Sequence, residues 1–325
     1  MPKRRLIQPN DLPETLWLSS QNCIRLAPNL VKAWKNLLEH AGLYEKALER
    51  VPEKIIGGVD KEATDAHLAW RFSGSSARMQ LAMLDPFCNL SGVSDAFARV
   101  FSGGTVLVAD LPCGSGAAIL TILCTIAELR RQGCVPREPL HVKVVGGELS
   151  KFARGYANNA TQHILASLKE QAIWVEAEFV PWDVLDKFST ADLIKKLTLQ
   201  STGCSARMLV LANFSGFLQG NGKWKDASPQ FEDLFLHSRD LQSVVIWIEP
   251  KTNEVTDSGG LFGRVFDWFK RNFSSLHKPE TLDELQLANL CCSAADAQHP
   301  LRSEHQFHVN LVIQRFDLPI AGVKP

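Results

Sequence analysis

The sequence predicts an α/β protein: a doubly wound, mostly parallel sheet with helices on both faces, preceded by an N-terminal helical cap. Three observations lead there. After residue 104, short apolar runs alternate with helical stretches, a pattern that closes as right-handed crossovers with helices on both faces. The runs are continuous rather than alternating, as strands buried on both faces are. A glycine-bearing segment joins the first run to the first long helix, where such sheets bind ligands.

The elements follow in order. Leu30, Val31, Trp34, Leu37 and Leu38 recur at helical spacing. Residues 60–71 and 75–84 give two further helical patterns. Asp85-Pro86 closes the second, because a residue before proline disfavours the helical region. Residues 93–101 form a fourth pattern, and Ser102-Gly103-Gly104 breaks it. Beyond the break, strands are expected at residues 105–109, 141–145, 173–180, 207–212, 243–248 and 308–313. Helices are expected at residues 114–131, 150–169, 192–199, 230–240 and 261–273. The chain therefore divides into a cap and substrate region, residues 1–103, and a sheet domain, residues 104–325. The cap's apolar stripes must be buried. Placed over the carboxyl edge of the sheet, it closes the pocket and helps to select the substrate.

Composition excludes several classes. Of 325 residues, 45 % are hydrophobic, enough for a real core. The 35 basic and 35 acidic side chains cancel, so no whole-chain attraction to nucleic acid or anionic membrane is expected. The longest apolar run, residues 117–127, falls short of the roughly 20 residues a membrane span needs. No apolar signal core follows the basic residues 1–5, so a cytoplasmic location with reduced cysteines is expected. None of the eight cysteines forms a Cys-x-x-Cys pair, and no metal site is expected. Adjacent Cys291 and Cys292 read as buried thiols.

The chemistry centres on Asp110-Leu111-Pro112-Cys113-Gly114-Ser115-Gly116, at the turn from first strand to first helix. A dinucleotide loop wants a third glycine, where this chain has Ile119, and a carboxylate at Asp110 repels phosphate. S-adenosylmethionine has the opposite need, carrying no phosphate but a cationic ammonium and sulfonium.

Here the chain resembles the class I S-adenosylmethionine-dependent methyltransferases, a Rossmann-like family. The segment from Asp110 to Gly116 is similar to that family's acidic, glycine-rich loop, with Pro112 where the first glycine usually stands. That proline removes one backbone donor. Val144 to Ser150 resembles the second motif, which implies that Glu148 holds both ribose hydroxyls, with Leu149 beside it. Ala157-Asn158-Asn159-Ala160 follows on the next helix, as in many relatives. Phe179 to Val184 resembles the third motif, implying that Asp183, with Val184, contacts the adenine. Leu209 to Gly216 resembles the fourth, implying that Asn213 and Phe214 lie under the methyl group. The resemblance spans residues 105–316 and implies a seven-stranded-type sheet, S-adenosyl-L-methionine as cofactor, and methyl transfer as the activity.

The acceptor is open: a small molecule, a protein or RNA. Asn213-Phe214-Ser215-Gly216 lacks the prolines often found in amino-methylating enzymes. Asn213, Glu249 and His237 are the candidate catalytic residues, and Arg78 is a candidate partner for the cofactor carboxylate. Residues 257–260 read as a mobile loop over the cleft. The aromatic and basic residues from Arg264 to Lys278 fit one buried face of an amphipathic helix better than a nucleic-acid platform. The alternative to an enzyme is a non-catalytic binding or assembly module that keeps the fold. A nicotinamide-dependent oxidoreductase is disfavoured by Asp110 and the missing third glycine.

Overall fold

A computed structural model describes residues 5–52, 58–219, 222–240, 242–252, 263–265, 267–268 and 290–318. The first part carries two short strands, β1 (Trp17–Leu18) and β2 (Cys23–Ile24). Five helices follow: α1 (Pro28–Ala41), α2 (Tyr44–Leu48), α3 (Lys61–Trp70), α4 (Phe72–Leu84) and α5 (Ser91–Val100). Then come β3 (Gly104–Asp110), α6 (Ala117–Arg131), β4 (Leu140–Gly147), α7 (Lys151–Lys169), β5 (Ile173–Val180), α8 (Lys187–Gln200) and β6 (Ala206–Ala212). The last are α9 (Ser215–Gln219), α10 (Lys223–His237), β7 (Ser243–Glu249), β8 (Cys291–His299) and β9 (Arg302–Asp317).

Among the described residues the strands make one sheet of nine, in the order β1-β2-β8-β9-β7-β6-β3-β4-β5. From β7 to β5 every neighbouring pair is parallel, while β9 runs antiparallel to both β7 and β8. The sheet therefore has more strands than the sequence predicts. β1 and β2 are two-residue strands defined by pairing alone, and β2 pairs with β8. β8 escapes sequence reading because Cys-Cys-Ser-Ala-Ala-Asp-Ala-Gln-His holds no β-branched or aromatic residue. Its strand character comes from alternate burial of Ser293, Ala295 and Ala297. Cys291 and Cys292 open this strand half-buried rather than buried.

Helix boundaries shift for identifiable reasons. Asp60 and Ser150 cap α3 and α7 through side chains that accept from Ala63 and Ala153. Asp186 does the same for α8, so that helix starts five residues earlier than its apolar pattern suggests. α10 runs through Pro229 instead of starting after it. The carbonyl that Pro229 leaves unbonded, Lys225 O, accepts from Ser228 Oγ at 3.4 Å. The expected helix over residues 261–273 and the loop at 257–260 lie largely outside the described residues.

Two cores sandwich the sheet. On one face Val106, Val108, Val142, Val144, Met208 and Val210 pack with α6, α7 and the N-terminal helices. On the other, Leu107, Ala109, Leu209, Leu211 and Trp247 pack with α8, α9 and α10. Alternate residues of one strand thus feed opposite cores, as pleating requires. The described residues before 104 share the first of these cores with the sheet. Trp34 of α1 stacks on Phe72 of α4 at 5.7 Å, and its indole N–H donates to Leu68 O at 3.2 Å.

Phe72→Ala should accordingly lower the stability of the whole protein by about 3–5 kcal/mol, the usual cost of emptying a buried aromatic site. Denaturant unfolding followed by circular dichroism measures it. A loss under about 1 kcal/mol would mean that the N-terminal helices stand outside the cooperative core.

Candidate functional site

The chain reverses its winding direction between β3 and β6: β4 and β5 follow on one side of β3, β6 and β7 on the other. The carboxyl ends of those two strands therefore flank the crevice where open α/β sheets bind ligands. Asp110 ends β3 and is 1 % exposed. Its Oδ2 accepts the Ile119 N–H at 3.3 Å, and its buried Oδ1 has no partner. Burial, with Glu148 adding repulsion against the Ile119 bond, raises the Asp110 carboxyl to a pKa of about 7.

The loop after Asp110 is tied to the end of β4. Cys113 N–H donates to Gly147 O at 2.9 Å, and Gly114 N–H to Glu148 Oε2 at 3.2 Å. Glu148 Oε1 accepts Ser150 N–H at 2.8 Å. Each oxygen of this half-buried carboxylate thus holds one backbone donor and keeps capacity for another. Desolvation raises its pKa against those two bonds. Gly116, at φ 85°, caps α6 in the left-handed region, and a Cβ there would come within 3.2 Å of Ala157 Cβ. Gly114, at φ 51°, has nothing within 4 Å of its absent side chain, so the loop surface there is open. The peptide preceding Pro112 is cis.

The opposite side of the crevice is built around Glu249, the last residue of β7. It is 0 % exposed. Its Oε1 accepts the N–H groups of Phe214 at 2.8 Å and Ser215 at 3.0 Å, and the Trp247 indole at 3.0 Å. Its Oε2 is buried without a partner, and desolvation raises the pKa. These bonds hold the turn in which Asn213 sits at φ 56°. Arg78 Nε donates to Asn213 Oδ1 at 3.1 Å. Burial lowers the Arg78 pKa to about 10, with Glu249 acting against the shift and Arg71 adding to it.

The remaining sequence candidates divide. Leu149 is 44 % exposed beside Glu148, an apolar surface at the crevice. Asp183 lies after β5, and its Oδ1 accepts Leu185 N–H at 2.9 Å, a local turn bond. Val184 and Phe214 turn their side chains into the second core rather than the crevice. His237 is exposed at the end of α10 and borders a small cavity with Arg207 and Met208, at the start of β6. It therefore stands at the opposite edge of the sheet from Asn213 and Glu249. Glu249 is in place but enclosed, its bonding oxygen committed to three donors, so it acts as a clamp and not as an exposed base. His67 and Arg71 carry no signal in the sequence, and only the tertiary structure sets them within electrostatic reach of Arg78. No group of His, Cys, Asp or Glu among the described residues is arranged to hold a metal ion. No described helix is long and apolar enough to cross a membrane.

Compared with models of known protein families and with curated proteins, the chain matches none.

Two expectations follow. Asp110 binds a proton in the folded protein up to about pH 7, whereas its ordinary pKa is 3.8. Its contribution to stability is full below pH 3.8 and is lost as pH rises through about 7. Asp110→Asn should remove that loss, so its stability relative to wild type should grow between about pH 4 and 8, by a few kcal/mol in order of magnitude. Parallel pH profiles in urea unfolding would contradict this. Glu249→Gln keeps an acceptor for the three N–H groups and should preserve stability. Glu249→Ala strands them, at about 1–3 kcal/mol each. Equal unfolding midpoints for the two variants would remove the clamp.

Proposed function

We propose that this protein binds S-adenosylmethionine across the carboxyl ends of β3, β4 and β6 and transfers its methyl group to an acceptor. The observation that carries the reading is the pair Asp110 and Glu148. They are two carboxylates at the ends of adjacent parallel strands, one with a buried, unpartnered oxygen and the other with spare acceptor capacity. A buried carboxylate oxygen without a partner is costly and calls for a cation or a donor. A phosphate would meet two like charges there. A ligand with a sulfonium, an ammonium and a ribose diol meets what it needs.

The sheet supports the same reading. Without the two-residue strands β1 and β2, seven strands remain. β8 is parallel to β7, since both are antiparallel to β9, so among these seven described strands β9 is the reversed one. This agrees with the seven-stranded type that the resemblance implies.

The bound cofactor would supply an activated methyl group on sulfur, and the protein's part is to bind and orient. Glu148 accepts the two ribose hydroxyls on its free lone pairs. Asp110, ionised, faces the cationic end directly or through water. Leu149 covers the adenine, and the free oxygen of Asp183 accepts from its amino group. Arg78 takes the carboxylate. Asn213, held by Arg78 and by the Glu249 clamp, presents its turn to the reacting atoms. All eight cysteines are unpaired, which supports the cytoplasm as the working compartment.

Titration calorimetry with S-adenosylmethionine tests the proposal. Binding should strengthen as pH rises through about 7, where Asp110 loses its proton. Glu148→Ala should weaken it by roughly 2–3 kcal/mol, the scale of hydrogen bonds lost to a charged group. An unchanged dissociation constant in that variant overturns the ribose role. Absence of binding in the wild-type protein overturns the function. A methyl-transfer assay on cell extract then separates an enzyme from a binding module.

A further inference from the structure

We infer that Arg71 and His67 form an anion-binding subsite beside the methyl-transfer site, so that the acceptor is a small acid carrying a carboxylate or phosphate. The inference rests on the methyltransferase reading above and names its substrate class.

The placement comes from the way α3 and α4 are anchored. Arg71 joins the two helices: its N–H donates to His67 O at 2.9 Å, and its carbonyl accepts from Ser75 N–H at 3.0 Å. The pair is thus one bent rod. Near its start, Thr64 Oγ1 lies 3.0 Å from Ser150 Oγ, just beyond β4. Further on, Arg78 Nε holds Asn213, just beyond β6. β3 lies between β4 and β6. His67 and Arg71, between the two anchors in sequence, therefore bridge the crevice at the strand ends.

Spacing gathers the three side chains. His67 and Arg71 are four residues apart, and Arg71 and Arg78 seven, so they share one side of the rod. Among the described residues several arginines meet carboxylates, Arg5 with Asp85, Arg207 with Asp240 and Arg315 with Asp317, while the buried Arg130 is satisfied by backbone carbonyls. Among the described residues Arg71 and Arg78 form no such ion pair, and the side chains of Arg71 and His67 no hydrogen bond. The nearby acid, Glu249, has its bonding oxygen committed to the Asn213 turn. The first turn of α4, which follows Arg71, has no side-chain cap. Two guanidinium forks and an uncapped helix start, their charge offset in part by Glu249 beside Arg78, match the planar oxygens of a carboxylate or phosphate. With Arg78 engaged on the cofactor, Arg71 and His67 are left for a second anion.

The local potential agrees. Burial, then Arg71, then Arg78 lower the His67 pKa to about 4, so its imidazole is neutral at pH 7 and can donate a hydrogen bond.

The test uses the full chain and the His67 imidazole resonance, assigned by its loss in His67→Gln. Inorganic phosphate and acetate are titrated separately, with and without saturating S-adenosylhomocysteine. An occupied subsite raises the His67 pKa from about 4, because a bound anion offsets the two arginines. The response should persist with S-adenosylhomocysteine bound, and the stronger of the two probes identifies phosphate or carboxylate. Arg71→Gln should weaken the anion about tenfold and leave S-adenosylmethionine affinity unchanged, while Arg71→Lys should restore much of the loss. No response to either probe overturns the subsite. So does a response abolished by S-adenosylhomocysteine, which would place both anions in one pocket. So, too, does an Arg71→Gln variant that loses cofactor as strongly as anion. An intact anion response in a protein that binds no S-adenosylmethionine overturns the methyltransferase reading and leaves the subsite standing.

Discussion

A carboxylate buried at the end of β3, with one oxygen held by a single backbone N–H and the other by nothing, sets the terms for everything around it. Such a group is unfavourable in a low-dielectric interior unless it is protonated or meets a cation. The surrounding elements leave its one free oxygen pointed at no donor of their own. The first turn of α6 supplies the Ile119 bond. Gly116 lets that helix start against α7, where any side chain would push Ala157 away. The loop between them is fastened to Gly147 and Glu148, so the second acid is fixed relative to the first by backbone bonds. The acidic side of the crevice is therefore a rigid product of the strand ends.

The other side is cationic, and its order depends on a buried acid of a different kind. Glu249 spends one oxygen on three donors, two of them in the chain that turns out of β6. Asn213 is held in a left-handed conformation by this arrangement and is met from above by Arg78. Acid on the β3–β4 side and guanidinium on the β6–β7 side form a charge pattern suited to a ligand with separated positive and negative groups.

The N-terminal helices carry both structure and site. Trp34, Phe72, Leu81 and Met83 belong to the same core as Val106 and Val144, so this region covers one face of the sheet. The α3–α4 rod also reaches the strand ends, with Thr64 at Ser150 and Arg78 at Asn213. Removing the first hundred residues would therefore uncover that core.

Much of this was legible in the residues themselves. Continuous apolar runs such as Val106–Ala109 are driven into the interior on both faces, so the parallel strands declare themselves. Asp110, Gly114, Gly116 and Glu148 stand at the ends of those runs, and the chain's own order places them at the crevice. Asp60, Ser150 and Asp186 mark helix starts by a local chemistry that needs no neighbour. Other features have no local signature. β8 is a strand because β9 and β2 pair with it, not because its residues favour one. Glu249 and His237 look alike as candidate bases in sequence, yet one is sealed behind three donors and the other lies at the far edge of the sheet. Arg71 is an ordinary helix-end arginine in sequence, and only the fold sets it between the anchors at Ser150 and Asn213. Burial, spacing and strand-end position follow from side-chain polarity along the chain. Which charges face one another is set by contacts between residues far apart in sequence, and only the folded sheet brings them within reach.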